Sequence, residues 1–171
     1  MSKQINTISV SPERKLIWNN KEYKCSLGEN GVSENKKEGD KTTPVGCFSL
    51  REVYFRSDRI EKPMTELPTK ALTPNDGWCD NPNDQNYNRF IKLPYSANAE
   101  SLWREDNLYD VIVVIGYNDD PIFPNKGSAI FIHIAREEYK PTAGCIGLAL
   151  PDLLEILATI EKNTIICINK S

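Results

Sequence analysis

A histidine and a cysteine in the last third of the sequence have residue types and a spacing that suit a nucleophile and its base. His133, the only histidine, lies in the apolar run 129–134, and Cys145 directly precedes the apolar run 146–150. Both runs are short and rich in aliphatic residues, which indicates strands. A loop of this length can place the end of one strand beside the start of the next. The spacing therefore permits a close His133–Cys145 pair.

Such a pair would activate the thiol. A free thiol is little ionised at neutral pH, and a neighbouring imidazole can hold it as a strongly nucleophilic thiolate–imidazolium pair. Gly144 allows a sharp turn before the sulfur, so that N–H groups near Gly144 and Cys145 can stabilise an oxyanion. Thr142 either orients this loop through its hydroxyl or only caps the turn. A lone cysteine before an apolar strand is more often a small buried hydrophobe, so the pair alone favours a structural role.

Two sequence segments together shift the balance towards catalysis. The run from His133 to Ile146, which ends in TAGCI, resembles the signature of the YkuD-like L,D-transpeptidase catalytic domain. That signature is a histidine, a variable loop, and Ser/Thr-x-Gly-Cys with an aliphatic residue. The segment 38–48, EGDKTTPVGCF, resembles the strand-entry loop of the same family. The two segments occur in the family's order, and the resemblance covers most of the chain.

The sequence departs from the family pattern at two positions beside the pair. The family often has glycine directly after the histidine, where Ile134 stands, and usually arginine two residues after the cysteine, where Gly147 stands. The loop between the histidine and the cysteine is also short for the family. Because nucleophile and base are both kept, these departures concern substrate binding.

Composition is ordinary for a globular protein and excludes some partners. The 171 residues, 39% hydrophobic and 26% charged, fit one domain over 1–171. A net charge of −3 argues against broad binding to nucleic acid or anionic membrane. No run of eighteen apolar residues predicts a membrane span, so no membrane insertion is expected. The first residues lack a secretory signal, which predicts a cytoplasmic protein, with the periplasm or cell envelope as the alternative.

The cysteines indicate free thiols and no metal. Five cysteines are widely spaced, odd in number and without a C-x-x-C pair, which fits a reducing cytosol. With a single histidine they assemble no zinc pattern. We therefore expect neither a metal nor a cofactor.

The apolar pattern predicts a mainly β fold. Asn19-Asn20 between two apolar-aromatic runs signals a hairpin. Further strands are expected over 47–55, 110–116 and 165–168, a short helix over 96–104, and a longer helix from Pro151 to Asn163. The charge run 34–41 is expected to be a solvated face, and 56–89 a long irregular loop. The resemblance implies a β-sandwich with one or two short helices.

The long loop also carries candidates for binding a peptide that ends in a carboxylate. These are Arg59, Trp78, Tyr87 and Arg89. A flap whose tryptophan merely packs onto the core is an equally good interpretation. Arg136, three residues after His133, is the candidate for a substrate carboxylate, in place of the arginine absent at position 147.

The resemblance implies a cysteine acyl-enzyme mechanism on peptidoglycan stem peptides. Cys145 would attack the carbonyl between the L-centre of a diamino acid and a terminal D-alanine, with His133 as base and then acid. Without a visible export signal, we expect an L,D-carboxypeptidase that trims tetrapeptides or muropeptides in cytosolic murein recycling. The alternatives are an exported L,D-transpeptidase and a non-catalytic muropeptide-binding domain. We expect a monomer, and the diamino acid stays open.

Overall fold

The computed structural model describes residues 6–171, which form fourteen strands, one α-helix and one 3-10 helix. The strands are β1 (Thr7–Ser11), β2 (Lys15–Trp18), β3 (Lys21–Ser26), β4 (Val32–Ser33), β5 (Thr43–Pro44), β6 (Gly46–Phe55), β7 (Thr69–Ala71), β8 (Asp76–Cys79), β9 (Phe90–Lys92), β10 (Ala99–Ser101), β11 (Val111–Ile115), β12 (Phe131–Ile134), β13 (Ile146–Leu148) and β14 (Ile165–Ile168). The helix α1 spans Leu150–Thr159, and the 3-10 helix spans Glu137–Tyr139. The prediction of a mainly β fold is confirmed.

Strand pairing runs in a closed circuit through β11, β12, β13, β3, β2, β1, β14 and β6. The ten-residue strand β6 closes the circuit because its first four residues pair with β14 and four of its last six pair with β11. Most pairs are antiparallel, and β12–β13 and β1–β14 are parallel. The hairpin of β2 and β3 turns at Asn19 and Asn20, which both have positive φ, as the sequence indicates.

The core lies on the inward faces of these strands, and α1 packs onto it. Alternate residues such as Ile8 and Val10 of β1 are fully buried, as a two-residue period requires. Helix α1 has a proline in its first turn, buries Leu153, Ile156 and Leu157, and ends at Thr159, four residues before the predicted end. The indole of Trp18 donates a hydrogen bond of 2.8 Å to the Thr159 hydroxyl, which fixes the helix end to the β2–β3 hairpin.

A second sheet, in the order β10–β8–β9, covers the outer face of β11 and β12. Phe131 of β12 meets Trp78 of β8 edge-on at 5.1 Å between ring centroids. The helix predicted over 96–104 is wrong, because 99–101 pairs as β10 with β8. The loop predicted over 56–89 contains β7 and β8, so it is not irregular throughout. In both cases pairing with a distant strand overrides a weak local pattern.

The charge run 34–41 is only partly a solvated face. Lys36 is buried, with 4% of its surface exposed. The carboxylate of Asp40 accepts hydrogen bonds from the Lys36 ammonium at 2.9 Å, the Lys37 N–H at 2.8 Å and the Thr42 N–H at 3.0 Å. These bonds fold the run into a compact loop, which the alternation of charges in the sequence does not reveal.

Two of the five cysteines are joined, so the prediction of five free thiols is wrong. Cys47 of β6 and Cys167 of β14 lie directly opposite each other and form a disulfide. Cys25, Cys79 and Cys145 are free and buried. The pairing was hidden in the sequence because 120 positions separate the two residues. Within residues 6–171, no helix has the length and apolar character to cross a membrane.

Candidate active site

The parallel pairing of β12 and β13 brings His133 and Cys145 together. Ile132 lies opposite Ile146, and His133 lies opposite Gly147. Cys145 lies two residues before Gly147. Because side chains alternate along a strand, Cys145 falls on the same face of the sheet as His133. Both residues line one cavity of about 390 Å³. The sequence-predicted pair therefore shares a site.

His133 is buried and held in one tautomer. Its Nδ1 lies 2.8 Å from the carbonyl oxygen of Ile134. Since a carbonyl can only accept, Nδ1 carries the proton, and Nε2 keeps a lone pair that can take a proton from a thiol. The ring packs edge-on against Tyr109 at 5.4 Å. Burial lowers the pKa of His133 to about 4, so the imidazole is a neutral base at pH 7.

The Cys145 thiol is also neutral at rest. Its sulfur donates a hydrogen bond of 3.1 Å to the Ala129 carbonyl and accepts one of 3.4 Å from the Phe131 N–H. Burial raises the pKa of Cys145 to about 12. The structure therefore favours a neutral thiol beside a neutral imidazole over the thiolate–imidazolium pair expected from the sequence.

The loop before Cys145 is shaped by Thr142 and Gly144. The Thr142 hydroxyl donates to the Cys145 carbonyl at 2.7 Å and accepts from the Gly144 N–H at 3.0 Å. Thr142 thus orients the loop through its hydroxyl, one of the two roles that the sequence left open. Gly144 has φ 141°, and a Cβ there would lie 2.7 Å from the Thr42 carbonyl oxygen. The Gly144 N–H is engaged, which leaves the Cys145 N–H as the backbone donor for an oxyanion.

The two segments that carry the family resemblance meet in space. The backbone of Thr42 packs against Gly144, and the Thr43 hydroxyl accepts a hydrogen bond of 2.9 Å from the Gly28 N–H. Gly28 in turn forms an isolated bridge with Thr142. The strand-entry loop therefore supports the turn that precedes Cys145.

Charges of both signs surround His133 and Cys145. The cavity is lined by four cations and three carboxylates: Lys36, Lys41, Arg104, Arg136, Glu38, Asp80 and Glu100. Burial raises the pKa of Glu100, which accepts a hydrogen bond from Tyr109, the residue packed on His133. Burial and the nearby Glu38 raise the pKa of Asp80. Of these seven residues, sequence analysis identified only Arg136 as a site residue.

The substrate-binding candidates divide into two groups. Arg136 lies on the rim of the Cys145 cavity, where its exposed guanidinium can meet a substrate. Trp78 and Arg89 instead border a separate cavity of about 340 Å³. The Trp78 indole donates to the Asn88 side chain at 2.9 Å and packs on the core, which favours the flap interpretation for this residue.

Tyr87 and Arg59 do not themselves line the Cys145 cavity. The Tyr87 hydroxyl donates to Glu38 at 2.7 Å and accepts from the Gly127 N–H at 3.0 Å. Arg59 donates to the Asp110 carboxylate at 2.9 Å and to the backbone carbonyls of Glu105 and Asp106, in the loop before β11. Neither residue is brought to Cys145, because each is held by a partner far along the chain.

The departure from the family pattern at position 147 has a steric cause. A Cβ on Gly147 would lie 2.2 Å from the Ser26 hydroxyl of the neighbouring strand β3. Ser26 therefore occupies the space in which a longer side chain would begin. At the other departure, Ile134 is buried and supplies the carbonyl that orients His133.

Comparisons with known proteins agree with the resemblance seen in the sequence. The family model YkuD, the L,D-transpeptidase catalytic domain, matches residues 6–168. A search of curated proteins gave no match. Similar solved structures include a carbamoyl enzyme of Ldtfm with avibactam (14% identity, TM-score 0.49, 99% of this chain and 50% of that one). A second is a mutant L,D-transpeptidase from Enterococcus faecium (14% identity, TM-score 0.48, 97% of this chain and 50% of that one). A third is the L,D-transpeptidase from Mycobacterium smegmatis (10% identity, TM-score 0.43, 95% of this chain and 58% of that one). The chain spans about half the length of these proteins.

Proposed function

Because the chain belongs to the L,D-transpeptidase catalytic domain family, we propose that it is a cysteine acyl-enzyme catalyst that acts on peptidoglycan stem peptides. One observation carries this proposal. Cys145 and His133 line one cavity, and the Ile134 carbonyl leaves His133 Nε2 able to accept a proton. A purely structural cysteine would have no need of a base held in this way.

The proposed first half-reaction moves one proton and forms one bond. The Cys145 sulfur adds to the amide carbonyl carbon, its proton passes to His133 Nε2, and the carbonyl electron pair moves onto oxygen. The Cys145 N–H faces the developing oxyanion. When the carbonyl re-forms, the C–N bond breaks, and His133 returns the proton to the leaving D-alanine amine. Arg136, on the cavity rim, is the proposed partner of the substrate carboxylate.

The favoured second half-reaction is hydrolysis, which makes the protein an L,D-carboxypeptidase. A cavity of about 390 Å³ lies near the small end of ligand sites, which run from roughly 300 to 1,000 Å³. Hydrolysis needs only this one site, because water can resolve the acyl-enzyme without a second bound peptide. Release of D-alanine from soluble tetrapeptides in cytosolic murein recycling would use this activity.

A second candidate, transfer to an amine by an L,D-transpeptidase, is favoured by the disulfide. Bonds such as Cys47–Cys167 persist mainly in oxidising compartments outside the cytoplasm. Acceptor amines of the peptidoglycan are found there. The place of action therefore decides between the two candidates.

Mass spectrometry of one reaction tests these proposals. The protein is incubated with a disaccharide-tetrapeptide, with and without a D-amino acid. Loss of D-alanine alone means hydrolysis, and exchange of the terminal residue means transfer. Cys145→Ser should abolish both, whereas Cys79→Ser, at another buried free thiol, should retain activity. No turnover by the wild type, together with tetrapeptide binding, would instead identify a muropeptide-binding domain.

Fractionation of host cells with thiol trapping tests the location. A cytosolic protein whose Cys47 and Cys167 are reduced, with tetrapeptides that accumulate on gene deletion, would support recycling. An envelope protein with the disulfide formed, and fewer L,D cross-links on deletion, would support the transpeptidase.

A further inference from the structure

Lys36 is a buried cation beside the nucleophile. Its side chain is 3% exposed, and it lines the same cavity as Cys145. Lysine is almost never fully buried unless it is paired, because removing its charge from water is costly. The fold must therefore compensate for placing this ammonium here.

The side chain of Lys36 runs through space that two glycines leave open. A Cβ on Gly127 would lie 2.9 Å from Lys36 Cε, and a Cβ on Gly144 would lie 3.3 Å from Lys36 Nζ. Both glycines have positive φ, 116° and 141°, a region that other residues rarely adopt. Two separate loops thus give the lysine a path that ends at the turn before Cys145.

Asp40 holds the ammonium in place. It lies 2.9 Å from Lys36 Nζ and is itself fixed by the N–H groups of Lys37 and Thr42. Burial acts to raise the pKa of Asp40, but these hydrogen bonds outweigh it and lower the pKa to about 2. Asp40 is therefore ionised at neutral pH. An ammonium has three donors, and this bond uses one of them.

We propose that the Lys36 ammonium stabilises the oxyanion of the tetrahedral intermediate formed on Cys145. The inference rests on the proposed acyl-enzyme function. The Gly144 N–H is committed to the Thr142 hydroxyl, so the turn offers fewer free backbone donors than its sequence suggests. A fixed cation at the same turn supplies the missing stabilisation, since charge-assisted hydrogen bonds are stronger than neutral ones.

Lys36 contributes charge and keeps its proton throughout the step. As the S–C bond forms, the carbonyl electron pair becomes the oxyanion, and the thiol proton goes to His133. The ammonium pairs with the oxyanion until the carbonyl re-forms and the amine leaves. Arg136 follows β12 and lines the same cavity, so a substrate carboxylate has a separate cation available.

The test compares Lys36→Met with Lys37→Met in the full chain. Methionine keeps much of the lysine length without the charge. The Lys37 side chain is exposed and does not line the cavity, and it is the backbone N–H of Lys37 that contacts Asp40. For Lys36→Met we expect kcat on a tetrapeptide to fall by about 10²–10³-fold, the usual loss for one oxyanion donor, with KM nearly unchanged. Inhibition by a peptide aldehyde, which forms a tetrahedral adduct on the cysteine, should weaken in parallel. Lys37→Met should match the wild type in both measurements.

Each other outcome overturns the proposal. A raised KM with unchanged kcat would assign Lys36 to the substrate carboxylate. A lower kcat with unchanged aldehyde inhibition would assign it to the scaffold. If Lys36→Met does not fold, Lys36→Gln, which keeps a donor for Asp40, gives the same comparison. Failure of the acyl-enzyme function itself would be seen separately, as turnover that survives Cys145→Ser.

Discussion

The neutral state of the Cys145–His133 pair predicts how the thiol reacts with an alkylating agent. Burial raises the pKa of Cys145 from 9.0 to about 12. Each pH unit between the ambient pH and the pKa lowers the thiolate fraction tenfold, so the thiolate at pH 7 should be about 10³-fold scarcer than for a thiol with the ordinary pKa. Iodoacetamide reacts with the thiolate, and its reaction with Cys145 should be correspondingly slow.

The assay follows the Cys145 peptide by mass spectrometry after timed alkylation between pH 6 and 9, with glutathione as reference. We expect the alkylation rate to rise about tenfold per pH unit without a plateau, because the pKa of Cys145 lies above this pH range. His133→Ala should change the alkylation rate only a few-fold. The same variant should lower turnover by at least ~10²-fold, since substrate attack still needs a base.

An ion pair would give the opposite pattern. A thiolate–imidazolium pair is fully formed between its two pKa values, so the rate would be flat from about pH 5 to 8. The rate would also fall by tenfold or more in His133→Ala, which removes the imidazolium. Either result would refute the neutral pair and restore the ion pair expected from the sequence.

Three further predictions concern the packing around the pair. Burial lowers the pKa of His133 from 6.5 to about 4, so the unfolded chain binds more protons than the folded chain between these two pH values. The free energy of unfolding should therefore drop as the pH falls from 6.5 to 4, by up to about 3 kcal/mol. Urea titrations of the wild type and of His133→Gln, which lacks this titration, measure the difference. Gly144→Ala should abolish turnover, because the added Cβ would lie 2.7 Å from the Thr42 carbonyl oxygen and force the turn to move. A kcat equal to that of the wild type would show that the turn accommodates the Cβ without loss of geometry. Cys47→Ser should leave the active site intact but lower stability by about 2–4 kcal/mol; an unchanged Tm in the absence of reductant would show that Cys47–Cys167 does not form.

Local pattern was enough to predict most of the strands that position the catalytic pair. The apolar runs over 110–116 and 165–168 became β11 and β14 with shifts of at most one residue. Strand β11 is buried at every position, and a strand buried on both faces needs continuous apolar residues. Strand β14 alternates half-buried and buried residues. The runs around His133 and Cys145 likewise became β12 and β13, although both strands are shorter than the runs.

Contacts between distant segments could not be predicted in this way. The burial of Lys36 depends on glycines at 127 and 144, about a hundred positions away. Arg59 suited a substrate carboxylate by its residue type, yet its guanidinium is taken by Asp110. Side-chain chemistry indicates what a residue can bind, and only the fold decides which partner reaches it first.

The departure at Gly147 and the burial of Lys36 have a common consequence for the site. An arginine at position 147 would lie on the same face of β13 as Cys145, but the Ser26 hydroxyl fills that space. Positive charge must therefore reach the nucleophile from other elements. Of the four cations that line the cavity, Lys36 lies in the charge run 34–41 and Arg136 follows β12. Under the proposed mechanism, Lys36 would meet the charge on the developing oxyanion and Arg136 the carboxylate of the substrate.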